Sequence, residues 1–262
     1  MARFASLFSS STGNCTYIGT PTQAILVDVG MSTKQTLLQM ENMGIDPSGI
    51  KGIFITHEHS DHVKGLKVFA SKFKIPVYMT EGTLTELDRN GILSDKYDAF
   101  AIPDEGVEIG SIHVKAFRTS HDSAESCGYT ALLPDGRKIS VATDMGEITH
   151  DVMQSIKGSD LVLIESNHDI GMLRNGPYPY NLKRRILSSK GHLSNEDCAE
   201  ALKTLVDTGT TRFVLGHLSK ENNYPPLAYE TAKASLTEFG AVEGVDYMLQ
   251  VASPTGRGML IL

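Results

Sequence analysis

Four side chains of the types that bind metals, His57, His59, Asp61 and His62, occur within six positions and constrain the fold of this chain most tightly. They directly follow a short apolar run, Gly52–Thr56, that is typical of a buried strand. Residues two positions apart at a strand end can point the same way, so His57 and His59 can bind one ion. Asp61 and His62 lie beyond the bend and can face a second ion. Imidazole and carboxylate ligands together suit zinc, manganese or iron. The alternative is a polar surface loop that is rich in histidine, and four ligand-type residues in six positions at a strand end argue against it.

Three further ligand-type residues, His121, Asp144 and His217, each follow a short apolar run. The active sites of α/β proteins are built at the ends of such strands. Taken singly, each residue would more often be structural or solvated. Taken together with the first cluster, they supply the ligands that two ions need. We expect the set to divide between the two ions as follows: His57, His59 and His121 on one, Asp61, His62 and His217 on the other, and Asp144 bridging both.

Short apolar runs alternate with helical patterns along the chain, which predicts an α/β fold with mixed sheets covered by helices. Ala24–Val27, Leu161–Ile164 and Phe213–Leu215 are typical of buried strands. Ser32 and Ser194 are predicted N-caps of amphipathic helices. We find no linker, charge block or internal repeat, so we expect a single domain over residues 1–262.

Composition excludes several classes of protein. The chain carries 24 Lys and Arg against 31 Asp and Glu, a formal net charge of −7, and its pI is near 5.7. A globally basic nucleic-acid binder is therefore excluded, and any attraction for anions must be local. No apolar segment approaches the about 18–20 residues that span a bilayer, and the beginning of the chain has no secretory pattern, so we expect a cytoplasmic protein without membrane contact. Three widely spaced cysteines do not form a disulfide framework.

The order and spacing of His57, His59, Asp61 and His62, then the later ligand-type residues, resemble the metallo-β-lactamase superfamily. Asp28, which closes the first buried strand, resembles the aspartate that supports the metal loop in that superfamily. The resemblance covers essentially the whole chain. It implies a four-layer αββα metallo-β-lactamase sandwich with two divalent ions, zinc, manganese or iron, at one edge.

Three segments narrow the resemblance to one branch of the superfamily. Ser9–Cys15 resembles the serine-rich opening of the WalJ/YycJ group, and Glu165–His168 resembles the glutamate motif of nuclease branches. The tetrapeptide Gly-His-Leu-Ser occurs twice, at Gly191–Ser194 and Gly216–Ser219. The first copy resembles the histidine motif that pairs with the glutamate in ribonuclease Z-like enzymes. This resemblance implies a 5′-to-3′ exonuclease, with DNA a better match than RNA as the nucleic-acid substrate.

The expected reaction is phosphodiester hydrolysis by a metal-bridged hydroxide. Asp61 is expected to orient the attacking water and to accept its proton. His192, polarised by Glu165, is the expected proton donor to the leaving oxygen; a surface or capping histidine is the alternative. Ser194 and the first amides of its helix could hold a phosphate oxygen, although plain N-capping explains the serine equally well.

A basic stretch of Lys183, Arg184 and Arg185 lies between Glu165 and the expected proton donor and is the predicted path of the nucleic acid. Tyr178 and Tyr180 precede it and could stack on bases. A solvated helix face with aromatic residues in the core is the plainer interpretation, because charge runs are common on protein surfaces.

Two other functions remain open from the sequence. The same metal pair could hydrolyse a small ester, a lactone, a thioester or a cyclic nucleotide, because one fold supports many reactions. A catalytically silent metal-binding or regulatory module is the third reading, and the complete set of ligands argues against it. The sequence gives no indication of the oligomeric state.

Overall fold

The computed structural model describes all 262 residues. The strands are β1 (Arg3–Phe8), β2 (Cys15–Gly19), β3 (Ala24–Val27), β4 (Ile50–Phe54), β5 (Val77–Met79), β6 (Ala99–Ala101), β7 (Val107–Ile109), β8 (Ile112–Arg118), β9 (Cys127–Leu132), β10 (Lys138–Ala142), β11 (Leu161–Glu165), β12 (Arg212–Gly216), β13 (Met248–Val251) and β14 (Leu260–Ile261). The helices are α1 (Thr33–Asn42), α2 (Ser60–Val63), α3 (Leu66–Phe73), α4 (Glu81–Arg89), α5 (His150–Ile156), α6 (Ile170–Asn175), α7 (Tyr180–Ile186), α8 (Asn195–Asp207) and α9 (Pro225–Phe239). The strands belong to two mixed sheets, which confirms the α/β fold class expected from the sequence.

The chain divides into two compact units. The first comprises Met1–Ala116, Ser123–Arg137 and Ser253–Leu262, and the second comprises Phe117–Asp122 and Lys138–Ala252. Each unit has its own cluster of buried apolar side chains. The single domain expected over residues 1–262 stays a prediction.

The first unit contains a complete seven-stranded sheet in the order β14-β1-β2-β3-β4-β5-β6. Strands from β14 to β3 pair antiparallel, and strands from β3 to β6 pair parallel. All four residues of β3 are buried, as expected for a short apolar strand in the interior of a sheet. Leu26, Ile53, Phe69 and Val77 are fully buried members of the core of this unit.

The second unit contains four parallel strands in the order β13-β12-β11-β10. All five residues of β11 are buried, because parallel strands are covered on both faces. Ile164 and Leu215 from the strands pack in one core with Leu202 of α8 and Leu236 of α9.

Two helix starts predicted from the sequence are confirmed. The Oγ atom of Ser32 accepts a hydrogen bond from the backbone N–H of Gln35 at the start of α1. The Oγ atom of Ser194 accepts one from the N–H of Asp197, at 3.0 Å, at the start of α8. Each cap pairs an N–H group that has no partner within the helix itself.

Three strand ends have left-handed backbone at residues that are not glycine. The φ angles are +63° at Asp28 after β3, +59° at Asp144 after β10 and +55° at His217 after β12. Such conformations cost roughly 1–3 kcal/mol each and tend to occur at functional sites. Two of these residues, Asp144 and His217, are candidate metal ligands.

No helix is both long enough and apolar enough to cross a membrane.

Candidate metal centre

In the first unit, a buried carboxylate supports the metal-ligand cluster that follows β4. The backbone N–H of Thr56 donates to Oδ1 of Asp28 at 2.9 Å, and the Thr56 hydroxyl donates to Oδ2, also at 2.9 Å. Nδ1 of His62 donates to the same Oδ2 atom at 2.8 Å. Burial raises the pKa of Asp28, and the charge of His62 and these hydrogen bonds oppose that rise. With Nδ1 protonated, Nε2 of His62 carries the lone pair that a metal ligand needs.

His57 and His59 place two ring nitrogens next to each other. Nε2 of His57 lies 3.0 Å from Nδ1 of His59, and His57 is completely buried. Two nitrogens bound to one tetrahedral zinc ion at about 2.0–2.1 Å would lie about 3.3 Å apart. The spacing therefore suits two ligands of a shared ion.

Asn14 contacts Asp61 and its neighbour and was not among the site residues predicted from the sequence. The Asn14 backbone N–H donates to the carbonyl oxygen of Asp61 at 2.8 Å. Its side-chain Nδ2 lies 3.4 Å from Oδ2 of Asp61 and 3.1 Å from Nε2 of His62. A Cβ atom at Gly30 would lie 1.7 Å from the Asp61 carbonyl oxygen, so only glycine permits this approach. The signal that could have identified Asn14 is its position within the serine-rich segment Ser9–Cys15.

In the second unit, one buried carboxylate joins two histidines. Oε1 of Glu165 accepts from Nδ1 of His192 at 2.7 Å and from Nδ1 of His217 at 2.8 Å. Oε2 accepts from the backbone N–H of Met145 at 2.8 Å and from that of Leu193 at 3.3 Å. Burial by itself raises the pKa of Glu165, but attraction to His192 and His217 and their hydrogen bonds outweigh it and lower the pKa below its ordinary range. Glu165 is therefore a carboxylate at neutral pH.

The ligand atoms of Asp144, Glu165, His192 and His217 all lie within 4.8 Å of one another. Oδ1 of Asp144 is 3.4 Å from Nδ1 of His217 and 3.9 Å from Nδ1 of His192. Carboxylate and imidazole groups gathered this closely in a buried place could hold a divalent cation.

His121 belongs to the second unit and is also held through Nδ1, which donates to the carbonyl oxygen of Gly191 at 3.0 Å. Burial lowers the pKa of His121, although Asp144 opposes the shift, so the imidazole is neutral at neutral pH. A neutral imidazole is the form that binds metals.

The donor set fits a divalent metal. His62, His121 and His217 are buried, and each has its Nδ1 held by a carboxylate or a carbonyl oxygen. Metal-binding histidines are oriented in this way, because the hydrogen bond at one nitrogen fixes the tautomer and directs the other nitrogen to the ion.

A network of buried polar side chains, also absent from the sequence prediction, joins three loops of the second unit. Nδ2 of Asn223 donates to the carbonyl oxygens of Ser166, at 2.9 Å, and Asn167, at 3.1 Å. Asn195 accepts from the Ser166 hydroxyl at 2.7 Å and from Asn223 at 2.9 Å. Nδ2 of Asn167 donates to the carbonyl oxygen of His217 at 2.8 Å. The loops that carry Glu165, His192 and His217 are thereby tied to one another.

Ser194 and the basic stretch have structural contacts of their own. The Ser194 hydroxyl donates to Oδ2 of Asp197 at 2.7 Å in addition to capping α8. Arg185 pairs with Asp122, and Nζ of Lys183 donates to the carbonyl oxygen of Arg174 at 2.8 Å. Substrate binding by Ser194, Lys183, Arg184 and Arg185 stays a prediction.

The α/β fold and its clusters of histidines and carboxylates define a metal-dependent hydrolase. Residues 23–218 match the family model described as Beta-lactamase superfamily domain. The chain belongs to this superfamily, as its resemblance to the metallo-β-lactamases implied.

Two relatives extend the match over nearly the whole chain. Exodeoxyribonuclease YycJ of Bacillus anthracis is 39% identical over 253 residues, which cover 96% of this chain and 95% of the relative. Exodeoxyribonuclease WalJ of Streptococcus pneumoniae is 35% identical over 256 residues, which cover 96% of this chain and 94% of the relative. This confirms the resemblance to the WalJ/YycJ group.

A solved structure supports the fold independently. The Zn(2+)-bound PqqB from Methylobacterium extorquens matches with a TM-score of 0.73, covering 99% of this chain and 100% of that one. At 18% identity, the likeness concerns the fold alone.

Proposed function

We propose that this chain is a dinuclear metal-dependent phosphodiesterase that degrades DNA as a 5′-to-3′ exonuclease. The observation that carries the proposal is the similarity over 96% of the chain to two relatives named exodeoxyribonuclease. The paired His192 and Glu165 support it, because hydrolysis of a phosphodiester needs a proton at the leaving oxygen.

The proposed ligands of one ion are His57, His59 and His121. Those of the other are Asp61, His62 and His217, and Asp144 bridges the two. When bound, two divalent ions lower the pKa of water and neutralise charge on the phosphate. Zinc suits the histidine-rich ligation, and the carboxylates also allow manganese or iron.

Asp61 is the proposed acceptor of the proton from the attacking water. Its carboxylate lies within reach of the Asn14 amide, 3.4 Å away, which would keep it turned toward the reacting water. Its side chain is partly exposed, so a substrate can reach it.

His192 is the proposed donor of the proton to the leaving oxygen. Its Nδ1 is held by Glu165, so Nε2 is the nitrogen that can serve a substrate. The carboxylate of Glu165 fixes the tautomer and the orientation of the His192 ring. The side chain of His192 is 17% exposed, which gives a substrate access to a group that is otherwise held in place.

The test uses DNA and RNA oligonucleotides of one sequence, labelled at either the 5′ or the 3′ end, with the metal-loaded protein. A 5′-to-3′ exonuclease releases the 5′ label at once as a short product and shortens the 3′-labelled strand progressively. We expect DNA to be degraded faster than RNA.

His192→Ala should reduce DNA hydrolysis by about 10²–10⁴-fold, the usual effect of losing a general acid. Glu200→Gln, at an exposed carboxylate on α8, is the control. Intact oligonucleotides alongside rapid hydrolysis of a lactone, a thioester or a cyclic nucleotide would favour the small-molecule alternative instead.

A further inference from the structure

An ion pair joins helix α7 to the loop that carries His121. Nε of Arg185 donates to Oδ2 of Asp122, the residue that follows His121 in the chain. The other carboxylate oxygen, Oδ1, lies 3.4 Å from Nε2 of His121. That nitrogen is the one left for a metal ion, because Nδ1 donates to the carbonyl oxygen of Gly191. The Asp122 carboxylate therefore connects Arg185 to a proposed metal ligand.

The turn of residues 187–191, which follows α7, is attached to the same loop at two further points. The Ser120 hydroxyl donates to the carbonyl oxygen of Ser189 at 2.6 Å. Nδ1 of His121 donates to the carbonyl oxygen of Gly191 at 3.0 Å. Together with the ion pair, these bonds attach three consecutive residues of the loop to one short segment of the chain.

The same segment leads into His192, the proposed proton donor. The backbone N–H of His192 donates to the carbonyl oxygen of Ile186 at 3.0 Å. A Cβ atom at Gly191 would lie 2.1 Å from that oxygen and 2.3 Å from the carbonyl oxygen of Arg185, so the turn lies tightly against the end of α7. A displacement of Arg185 would therefore disturb both His121 and His192.

The charge of Arg185 is balanced within the protein. Its side chain is 49% exposed, and that of its partner Asp122 is 31% exposed. An ion pair has no net charge, so it attracts a phosphate less strongly than an unpaired cation does. A carboxylate beside a metal-binding histidine orients the ring, and loss of such a partner weakens metal binding. The pair is therefore better suited to positioning His121 than to binding nucleic acid.

We propose that Arg185 is a positioning residue of the metal centre: it holds Asp122 against His121 and thereby raises the affinity of the site for its ion, instead of contacting phosphates of the substrate. The inference rests on the proposed function, in which His121 is a metal ligand. It gives one arginine of the predicted nucleic-acid path a different role. Because Arg185 acts through Asp122, its effect should disappear once Asp122 is altered.

The test is a double-mutant cycle in which zinc affinity is measured by competition with a chelator, without substrate. We expect Arg185→Gln and Asp122→Asn each to raise the dissociation constant of zinc about tenfold, within the usual effect of losing a partner that orients a metal ligand. Loss of a positive charge by itself would favour binding of a cation, so weaker binding by Arg185→Gln identifies positioning.

The variant with both changes should bind zinc as either single variant does, because each change breaks the same interaction. A loss of about a hundredfold, the product of two independent effects, would overturn the inference.

Binding and cleavage of duplex DNA distinguish positioning from a phosphate contact. At saturating zinc, Arg185→Gln should lower kcat rather than raise KM. The slope of log K against log salt for DNA binding should stay that of the unaltered protein. Loss of one phosphate contact would instead reduce the slope by about 0.9, and that result would overturn the inference.

Arg89→Gln is the matched control, because Arg89 is an exposed arginine of α4 that pairs with Glu86 at 2.6 Å. It should leave zinc affinity, kcat and the salt slope unchanged. Zinc binding by Arg185→Gln that is unchanged or tighter would overturn the inference while the nuclease function stands. Weaker zinc binding by both single variants of a protein that cleaves no DNA would overturn the proposed function and support the positioning role.

Discussion

Glu165 accepts a hydrogen bond from Nδ1 of His192 at 2.7 Å through the oxygen that also accepts from His217 at 2.8 Å. One carboxylate thus fixes the tautomers of two histidines that have different proposed roles. Its second oxygen is held by two backbone N–H groups, so the carboxylate cannot rotate away. This arrangement makes Glu165 the organising residue of the second unit's part of the candidate site.

Replacing Glu165 by Gln should lower kcat for DNA by about 10–100-fold, the usual effect of losing a partner that orients metal ligands. The side chain keeps its size, but the amide loses the charge and offers one acceptor oxygen in place of two. The measurement is steady-state hydrolysis together with metal content. Glu200→Gln removes an exposed carboxylate and should leave both unchanged. An unaltered kcat in Glu165→Gln would show that His192 and His217 need no such support.

Replacing Asn14 by Ala should lower kcat about tenfold, because Asp61 loses a neighbour that orients its carboxylate. The backbone contact between the two residues does not depend on the side chain, so the loop should keep its conformation. Thermal unfolding and metal content check that the variant is intact. Asn90→Ala, at an exposed amide that contacts only Glu86, is the control. Equal values of kcat for Asn14→Ala and the unaltered enzyme would show that the Asn14 side chain has no role in the reaction.

Replacing Asn223 by Ala should destabilise the protein by about 1–3 kcal/mol, because buried acceptors lose their donor. Its amide serves the carbonyl oxygens of Ser166 and Asn167 and the side chain of Asn195. Urea unfolding measures the change. Asn175→Ala, which removes an exposed amide, is the control and should change the free energy of unfolding by no more than about 0.5 kcal/mol. If Asn223→Ala unfolds at the same urea concentration as the unaltered protein, the network does not stabilise these loops.

His168 makes the stability of the metal-free protein depend on pH. Burial lowers the pKa of His168 from its ordinary value near 6.5 to about 4, although Glu165 opposes the shift. Between these values the unfolded chain binds a proton that the folded chain does not, so stability falls as pH decreases from 6.5 toward 4. Above pH 6.5 the protonation of His168 does not change the stability of the protein.

His168→Asn should therefore reduce the loss of stability between pH 7 and pH 4.5. Urea unfolding midpoints of both proteins, measured with a chelator present, give the comparison. Asn175→Ala, at an exposed amide that does not titrate, is the control variant, and its difference between the two pH values should match that of the unaltered protein. An identical pH dependence for His168→Asn and the unaltered protein would show that His168 is not a source of the loss of stability at low pH.

The sequence determined the local elements of this protein because their signals are contiguous. Four-residue apolar runs such as Ala24–Val27 mark strands, and serines before amphipathic segments mark helix starts; both agree with the structure. The spacing of histidines and aspartates likewise indicated the superfamily, since ligands at strand ends keep their order along the chain.

The family resemblance implied the pairing of His192 with Glu165, but tertiary structure decided most other hydrogen-bond partners, because these lie far apart in the chain. Glu165 meets His217 across 52 positions, and Asn14 meets His62 across 48. Asparagine carries no periodic signal, so Asn223 could not be distinguished from a surface residue, and only its place in the serine-rich segment Ser9–Cys15 marked Asn14. The left-handed backbone at Asp28, Asp144 and His217 is equally invisible in the sequence, because residues other than glycine adopt it only when the surrounding packing offsets the strain.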